Sequence, residues 1–119
     1  MDEAGSADYC TRIITDLAQI KPQQWNSLLP ARCAGALFLR HEYLSALHET
    51  GCASPQSGWE PQYLSLWDRS EQLAGAVPLY RKHHSYGEYV FDWAWAEAHE
   101  RHGIAYYPKW LVAVPFTPV

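Results

Sequence analysis

The ionisable side chains best suited to chemistry lie among aromatic residues between positions 85 and 119. Glu88 is the strongest candidate for a proton acceptor, because Tyr86, Tyr89 and Phe91 lie near it and would shield its carboxylate from water. A shielded carboxylate takes up a proton more readily, which is the property that a general base needs. An ordinary strand carboxylate that faces water is an equally good interpretation of the same residue.

Three tyrosines and one lysine would complete such a site. Tyr86 is predicted to act with Glu88 as a proton donor, and Tyr106 and Tyr107 are predicted to bind substrate by lining a groove. Lys109 is predicted to contact an anionic group of the substrate. Clustered tyrosines also occur as packing residues whose rings are buried and whose hydroxyl groups face solvent. For Lys109, a solvated side chain at the start of a strand is the alternative that we favour.

The histidines are the residues that would suggest a metal. His99 and His102 lie three positions apart on a predicted helix, so both imidazoles could face one ion, and His83 and His84 are adjacent. A complete site needs a third and a fourth ligand, and no cysteine or acidic residue stands at a supporting spacing. Histidines near the end of a helix also interact favourably with its dipole. We therefore predict no metal site.

The cysteines and the N-terminal residues indicate the cellular compartment of the protein. Cys10, Cys33 and Cys52 are odd in number, widely spaced and without a CxxC motif, which is typical of reduced thiols in a cytoplasm. The acidic start of the chain lacks the apolar region of a signal peptide, and no apolar run reaches the roughly 20 residues of a membrane span. The sequence predicts a cytoplasmic protein without a transmembrane segment.

Composition limits the classes of partner. The 119 residues carry a formal charge of −4, with 48% hydrophobic and 18% charged residues, which fits one globular domain. The only basic cluster, residues 81–84, is too short to follow a phosphate backbone, so nucleic acid is excluded as a partner. Six Trp and eight Tyr exceed what a small core needs. This excess predicts an aromatic groove, or an interface that another segment or protein covers.

Hydrophobic periodicity and turn residues predict the elements that would hold these side chains. Pro78 removes a backbone donor, so the second strand of the predicted hairpin is expected to be an edge, bulged or released from pairing there. Asp92 is predicted to cap the third helix. The predicted elements are strand 11–17, helix 22–29, helix 40–49, a loop over 52–61, a hairpin of 62–67 with 73–80, helix 93–102 and strand 109–114.

Several joined blocks of sequence add a family resemblance. The blocks are FLRHEYL at 38–44, GWEP at 58–61, AVPLY at 76–80, SYGEYVFD at 85–92, WA at 95–96, YYPK at 106–109 and PFTPV at 115–119. They resemble the FemAB-like predicted N-acyltransferases of the GNAT-like superfamily, which are linked by resemblance to the Fem transferases of peptidoglycan biosynthesis. The resemblance adds Phe116 and Thr117 to the predicted substrate-binding residues.

The predicted elements follow the order β-α-α-β-β-α-β, which indicates an α+β fold of mixed α/β layers. The resemblance implies that this is a partial GNAT-like fold, truncated after the fourth strand. Residues 1–8 would form a disordered lead, and residues 9–119 the N-terminal part of an acyltransferase domain. In GNAT-like enzymes the loop and helix after the fourth strand hold the pyrophosphate of the acyl donor, so acyl-CoA or another donor is not expected to bind this chain alone.

The resemblance also implies a function. It is transfer of an acyl or aminoacyl group to an amine by a longer enzyme, of which this chain would be an N-terminal fragment that is inactive alone. The implied partner is the missing C-terminal half, or a protein that covers the aromatic surface. A second copy of the chain, in a homodimer, is one candidate for that protein. The alternative is a non-catalytic α+β interaction module or a subunit of a split protein. Identity of donor and acceptor is left open.

Overall fold

Two small antiparallel sheets and a few helices make up the described part of the chain. The computed structural model describes residues 8–30, 34–86, 88 and 92–113. The helices are α1 (Pro22–Asn26), α2 (His41–Glu49) and α3 (Trp93–Arg101), with 3-10 turns at Leu17–Gln19, Ala34–Leu39 and Pro55–Ser57. The strands are β1 (Tyr9–Ile14), β2 (Trp59–Pro61), β3 (Tyr63–Asp68), β4 (Leu73–Val77), β5 (Leu79–Lys82) and β6 (Lys109–Val112). The predicted α+β class is confirmed.

A bent hairpin connects the two sheets. β3 pairs with β4, and β2 pairs with β5, so the chain changes sheet at Gln62 on one arm and at Pro78 on the other. Pro78 has no N–H to donate, which interrupts the ladder at this position. The amide of Gln62 donates to the carbonyl of Leu79 at 2.9 Å and keeps the two arms together at the bend. β1 then extends the first sheet to the order β1-β3-β4, and β6 extends the second to β2-β5-β6.

The structure corrects two predicted elements. Residues 59–61, predicted as loop, form β2, because pairing with β5 overrides the turn-forming composition around Gly58 and Pro61. The predicted strand 73–80 is divided between the two sheets at Pro78, and the predicted release from pairing at this residue is confirmed. The predicted hairpin turn is present, and the carboxylate of Asp68 accepts hydrogen bonds from the amides of Ser70 and Gln72. The partial GNAT-like arrangement stays a prediction.

Other boundaries differ from the predicted ones by a few residues. The first strand begins two residues earlier than predicted and ends at Ile14, and the first helix ends at Asn26. α2, α3 and β6 lie within the predicted ranges 40–49, 93–102 and 109–114. Residues 1–7 of the predicted disordered lead and residue 114 of the predicted last strand lie outside the described residues.

The core lies between the helices and the sheets. Leu17, Trp25 and Leu44 are buried there, and the alternation of β3 turns Tyr63 and Trp67 inward to meet them. Polar groups in this core have partners: the indole N–H of Trp25, for example, donates to the carbonyl of Leu39 at 2.8 Å. The hydroxyl groups of Tyr63 and Tyr80 meet at 3.2 Å, which links the cores of the two sheets.

A pair of matched leucine substitutions tests this description of the core. Leu44→Ala removes a side chain with no exposed surface, so we expect the free energy of unfolding to fall by about 2–5 kcal/mol. Leu37→Ala, at an exposed position, should change it by less than about 0.5 kcal/mol. Urea denaturation followed by circular dichroism measures both. Equal losses in the two variants would contradict the assigned core.

Candidate functional site

Ionisable side chains from three parts of the chain meet beside the second sheet. One lysine comes from the end of β5, a second begins β6, and two carboxylates come from the connection between β5 and α3. We call this set the charged cluster. Its members are Lys82, Ser85, Glu88, Asp92, Tyr106, Tyr107 and Lys109.

Lys109 is the centre of the charged cluster. Its ammonium group donates to Oε1 of Glu88 at 2.8 Å, to Oδ2 of Asp92 at 2.5 Å and to Oγ of Ser85 at 3.0 Å. These three bonds use all the donors that an ammonium group has. Burial by itself would lower the pKa of Lys109, but the bonds to Asp92 and Glu88 outweigh it and raise the pKa above its ordinary value. Lys109 is therefore cationic at neutral pH.

Lys82 approaches Glu88 from the opposite side. Its side chain has no exposed surface, and its Nζ lies 3.4 Å from Oε2 of Glu88. The same nitrogen donates to the carbonyl of Tyr86 at 2.5 Å and lies 3.9 Å from the ring centroid of Trp59, as a cation–π contact. Desolvation lowers the pKa of Lys82 despite the attraction of Glu88. The Glu88 carboxylate, 7% exposed, is thus contacted by two ammonium groups.

Asp92 and the two tyrosines form the outer part of the charged cluster. The hydroxyl of Tyr106 donates to Oδ2 of Asp92 at 2.6 Å, and the hydroxyl of Tyr107 lies 2.6 Å from Oγ of Ser85. Burial would raise the pKa of Asp92, but hydrogen bonds, led by that from Lys109, hold it well below its usual range. The bond to Asp92 raises the pKa of Tyr106. Tyr106 is consequently a neutral phenol whose hydrogen is directed at Asp92.

A close packing contact holds the connection that carries Glu88. The backbone amide of Tyr86 donates to Nδ1 of His84 at 3.1 Å, and the imidazole ring lies directly against Gly58. Gly58 has φ +87°, and a Cβ at this position would overlap the ring. Burial, with the charge of Lys82, lowers the pKa of His84, so this imidazole is neutral at pH 7. This contact helps to position the carbonyl of Tyr86, which accepts the hydrogen bond from Lys82.

A pocket elsewhere in the described part of the chain has an apolar lining. It has a volume of about 270 Å³ between α1 and β4 and contains no ionisable lining residue. Acid–base chemistry at this pocket is therefore excluded, and the charged cluster is the better candidate site. The lining residues are Trp25, Leu28, Leu29, Leu39, Ala74, Gly75, Ala76 and Pro78.

Comparison with known proteins assigns this chain to a family. A model of the FemAB-like family, described as peptidoglycan biosynthesis/recognition, matches residues 16–119. The chain belongs to the FemAB-like family. The matched range includes every member of the charged cluster, and the resemblance inferred from the sequence is confirmed. No curated protein and no solved structure matches the chain.

Four of the predicted site residues of this FemAB-like chain come together. Glu88, Tyr106, Tyr107 and Lys109 all belong to the charged cluster. Tyr86 reaches it only through its backbone carbonyl, since its side chain is 68% exposed. Phe116 and Thr117, and the aromatic neighbours Tyr89 and Phe91 of Glu88, lie outside the described residues. The catalytic and substrate-binding roles stay predictions.

Two interpretations from the sequence are wrong. Asp92 stands at the N-cap position of α3, but its side chain makes no capping bond, because it is directed at Lys109 and Tyr106 instead. Lys109 is not a solvated residue, since its side chain is only 13% exposed and pairs with two carboxylates. The sequence analysis also missed Lys82 and Ser85. The sequence carried no local signal for either residue, because their burial beside Glu88 and Asp92 depends on tertiary contacts.

The helix histidines have structural partners. Nδ1 of His99 and Nδ1 of His102 each bond to a backbone carbonyl four residues earlier, at 2.8 Å. Among the described residues, no group of three or more potential ligand side chains is arranged to hold a metal ion. Of the helices in the same part of the chain, none has both the length and the apolar character needed to cross a bilayer.

Acid titration of an Asp92 variant tests the charged cluster. The lowered pKa means that the folded state binds fewer protons than the unfolded state, so the contribution of Asp92 to stability is complete above the unfolded pKa of about 3.9. It is lost as the pH falls from there toward the lower folded pKa. At pH 7 we expect Asp92→Asn to reduce the free energy of unfolding by about 1.5–3 kcal/mol.

The measurement is urea denaturation at a series of pH values from neutral to acidic. The difference between the wild type and Asp92→Asn should shrink as the pH falls. Asp8→Asn is the matched control, since Asp8 forms an exposed ion pair with Arg69 at 2.8 Å, and it should lose less than about 1 kcal/mol. A difference for Asp92→Asn that is constant with pH would contradict the assigned ion pair.

Proposed function

We propose that this FemAB-like chain takes part in the transfer of an acyl or aminoacyl group to an amine, in the peptidoglycan-related chemistry named by its family description. The observation that carries the proposal is the charged cluster, in which buried Lys109 bridges Glu88, Asp92 and Ser85. Amide formation needs acceptors for the protons of the amine and positive charge near the developing oxyanion. The charged cluster contains both kinds of group.

The contacts suggest distinct roles within the charged cluster. Glu88 lies between Nζ of Lys82 and Nζ of Lys109, and its carboxylate oxygens are acceptors for a hydrogen bond from an amine. Lys109 supplies a fixed positive charge beside the reacting atoms. The hydroxyl hydrogen of Tyr106 is directed at Asp92, so Tyr107 is the candidate proton donor to a leaving group if Ser85 donates the hydrogen bond between their two hydroxyl groups.

We further propose that acyl-CoA or another acyl donor does not bind this chain alone. Phosphate groups prefer helix N-termini that carry no negative side chain. Asp92 is the N-cap residue of α3, and α2 has Glu42 in its first turn, so each carboxylate would repel a phosphate group. The cytoplasmic location and the missing C-terminal half stay predictions.

The purified chain tests the proposal about the donor. We expect no amide product when it is incubated with acyl-CoA or aminoacyl-tRNA and a primary amine, with mass spectrometry as the measurement. We also expect no rise in melting temperature with acyl-CoA, because a ligand that does not bind the folded state cannot stabilise it. Product above the enzyme-free background, or a dose-dependent rise in melting temperature, would argue against the proposal.

The transferase role itself is tested in cells that carry the gene. Deletion is expected to remove an acyl or aminoacyl modification of an amine from the peptidoglycan, and Lys109→Met should do the same, because it removes the central ammonium group. Liquid chromatography with mass spectrometry of the muropeptides measures the loss. Lys21→Met, which removes a positive charge at an exposed position, is the matched control and should leave the modification unchanged. A modification retained in Lys109→Met cells with normal protein levels would refute the assignment.

A second candidate function is that of an interaction module. α3 has no buried residue, and Trp95 and Trp110 expose 68% and 60% of their surface. Large exposed apolar patches commonly mark protein-binding surfaces. The same cells separate the two candidates. If Trp95→Ala reproduces the deletion and Lys109→Met does not, the interaction module is the better description.

A further inference from the structure

His84 makes a hydrogen bond that only its neutral ring can make. The backbone amide of Tyr86 donates to Nδ1 of His84 at 3.1 Å. A neutral imidazole has one donor and one acceptor nitrogen, so Nδ1 is the acceptor and the hydrogen lies on Nε2. In a protonated imidazole both nitrogens are donors. Nδ1 would then face the Tyr86 amide as a second donor, and the hydrogen bond between them would be lost.

The imidazole ring is packed against the chain on two sides. Nε2, Cε1 and Cδ2 of His84 occupy the space that a Cβ of Gly58 would need. The ring of Tyr86 lies edge-on to the imidazole, with the two ring centroids 5.1 Å apart. Because Gly58 limits rotation of the ring, we expect loss of the Nδ1 bond to displace residues 84–86 together rather than the imidazole alone.

Residues 85 and 86 connect His84 to the charged cluster. The carbonyl of Tyr86 accepts a hydrogen bond from Nζ of Lys82 at 2.5 Å, and Oγ of Ser85 accepts one from Nζ of Lys109 at 3.0 Å. The side chain of Lys82 has no exposed surface, so an oxygen that it loses is not simply replaced by bulk water. A movement of residues 84–86 would therefore change the contacts of both buried lysines.

The surroundings of His84 keep its ring neutral at pH 7. Burial lowers the pKa of His84 most, and the charge of Lys82 and the neighbouring His83 lower it further. A backbone hydrogen bond with Ser57 and the carboxylate of Glu88 act in the opposite direction without reversing the shift. Protonation of the ring is thus expected on the acidic side of the ordinary histidine pKa of about 6.5.

We propose that His84 is a pH-sensitive switch, in which protonation of the imidazole breaks its bond to the Tyr86 amide and releases residues 85 and 86 from Lys82 and Lys109. The step adds one proton from the solvent to Nδ1 and changes no covalent bond between heavy atoms. Above the transition the charged cluster is complete, and below it both lysines lose an oxygen partner. The switch goes beyond the proposed function and does not depend on it, because it is a change within the chain itself.

Two variants of His84 separate its proton from its hydrogen bond. His84→Asn keeps an acceptor, because an asparagine side chain can accept from the amide two residues later, and it cannot be protonated. It should hold residues 85 and 86 in the neutral arrangement at every pH. His84→Ala has no acceptor and should show the acid arrangement already at neutral pH. His102→Asn is the matched control, since it removes an exposed imidazole just after α3.

The measurement is an NMR titration of the purified chain from about pH 8 to pH 5. It follows the imidazole nitrogens of His84 and the amide and carbonyl signals of Tyr86, since that carbonyl bonds to Lys82. We expect the Nε2–H tautomer of His84 at pH 8 and a midpoint below about 6.5. Both Tyr86 signals should shift with this midpoint in the wild type and in His102→Asn, and stay in place in His84→Asn.

Three results in the wild type would overturn the inference, and none of them requires a variant to fold. The first is an Nδ1–H tautomer of His84 at pH 8, since that ring cannot accept from the Tyr86 amide. The second is an imidazole that is still neutral at pH 5. The third is a titration of His84 without a shift of the Tyr86 carbonyl. The muropeptides of Lys109→Met cells judge the proposed function separately, because this titration involves no acyl transfer.

Discussion

The position of the Lys109 ammonium group is the constraint on which the second half of the structure depends. A buried positive charge requires compensation, and here the compensation comes from two carboxylates on the connection between β5 and α3. Because both carboxylates must reach one nitrogen, Glu88 and Asp92 are held together at the start of β6. The start of α3 is fixed by the same requirement, since Asp92 is the residue that precedes this helix. Ion pairs with Lys109 therefore position the start of α3, whereas most helices are positioned by a buried apolar face.

The bent hairpin explains why the lysines can meet. Pro78 ends the pairing of β4 and sends the chain into the second sheet as β5, which ends at Lys82. β6 pairs with β5 in a register that places Lys109 opposite Lys82. Two like charges on neighbouring strands repel each other unless anions separate them. Glu88, bonded on either side, supplies that separation.

Membership of the FemAB-like family gives this arrangement a chemical context. A cluster that only stabilised the fold would be expected to satisfy its own oxygens, and apolar residues would stabilise the same volume at least as well. In the charged cluster, Oδ1 of Asp92 and Oε2 of Glu88 are buried and accept no hydrogen bond, although Oε2 lies 3.4 Å from Nζ of Lys82. Acceptors for an amine and a positive charge for an oxyanion are the two requirements of acyl transfer to nitrogen. The exposed side chains of α3 and β6 leave room for a covering partner in the same region.

Local patterns in the sequence determined most of the elements, and they determined the family. Pro78 predicted the interruption of a strand. Apolar periodicity predicted α2, with Gly51 after its end, and the i, i+4 spacing of Glu97 and Arg101, with Gly103 after the helix, predicted α3. Glu88, Tyr106, Tyr107 and Lys109 were recognisable from their residue types. Only the tertiary structure decided that Asp92 turns away from its helix and that Lys82 joins the site. Both outcomes depend on contacts between residues up to 27 positions apart, and the cost of leaving a buried charge unpaired exceeds the local preferences that the sequence displays.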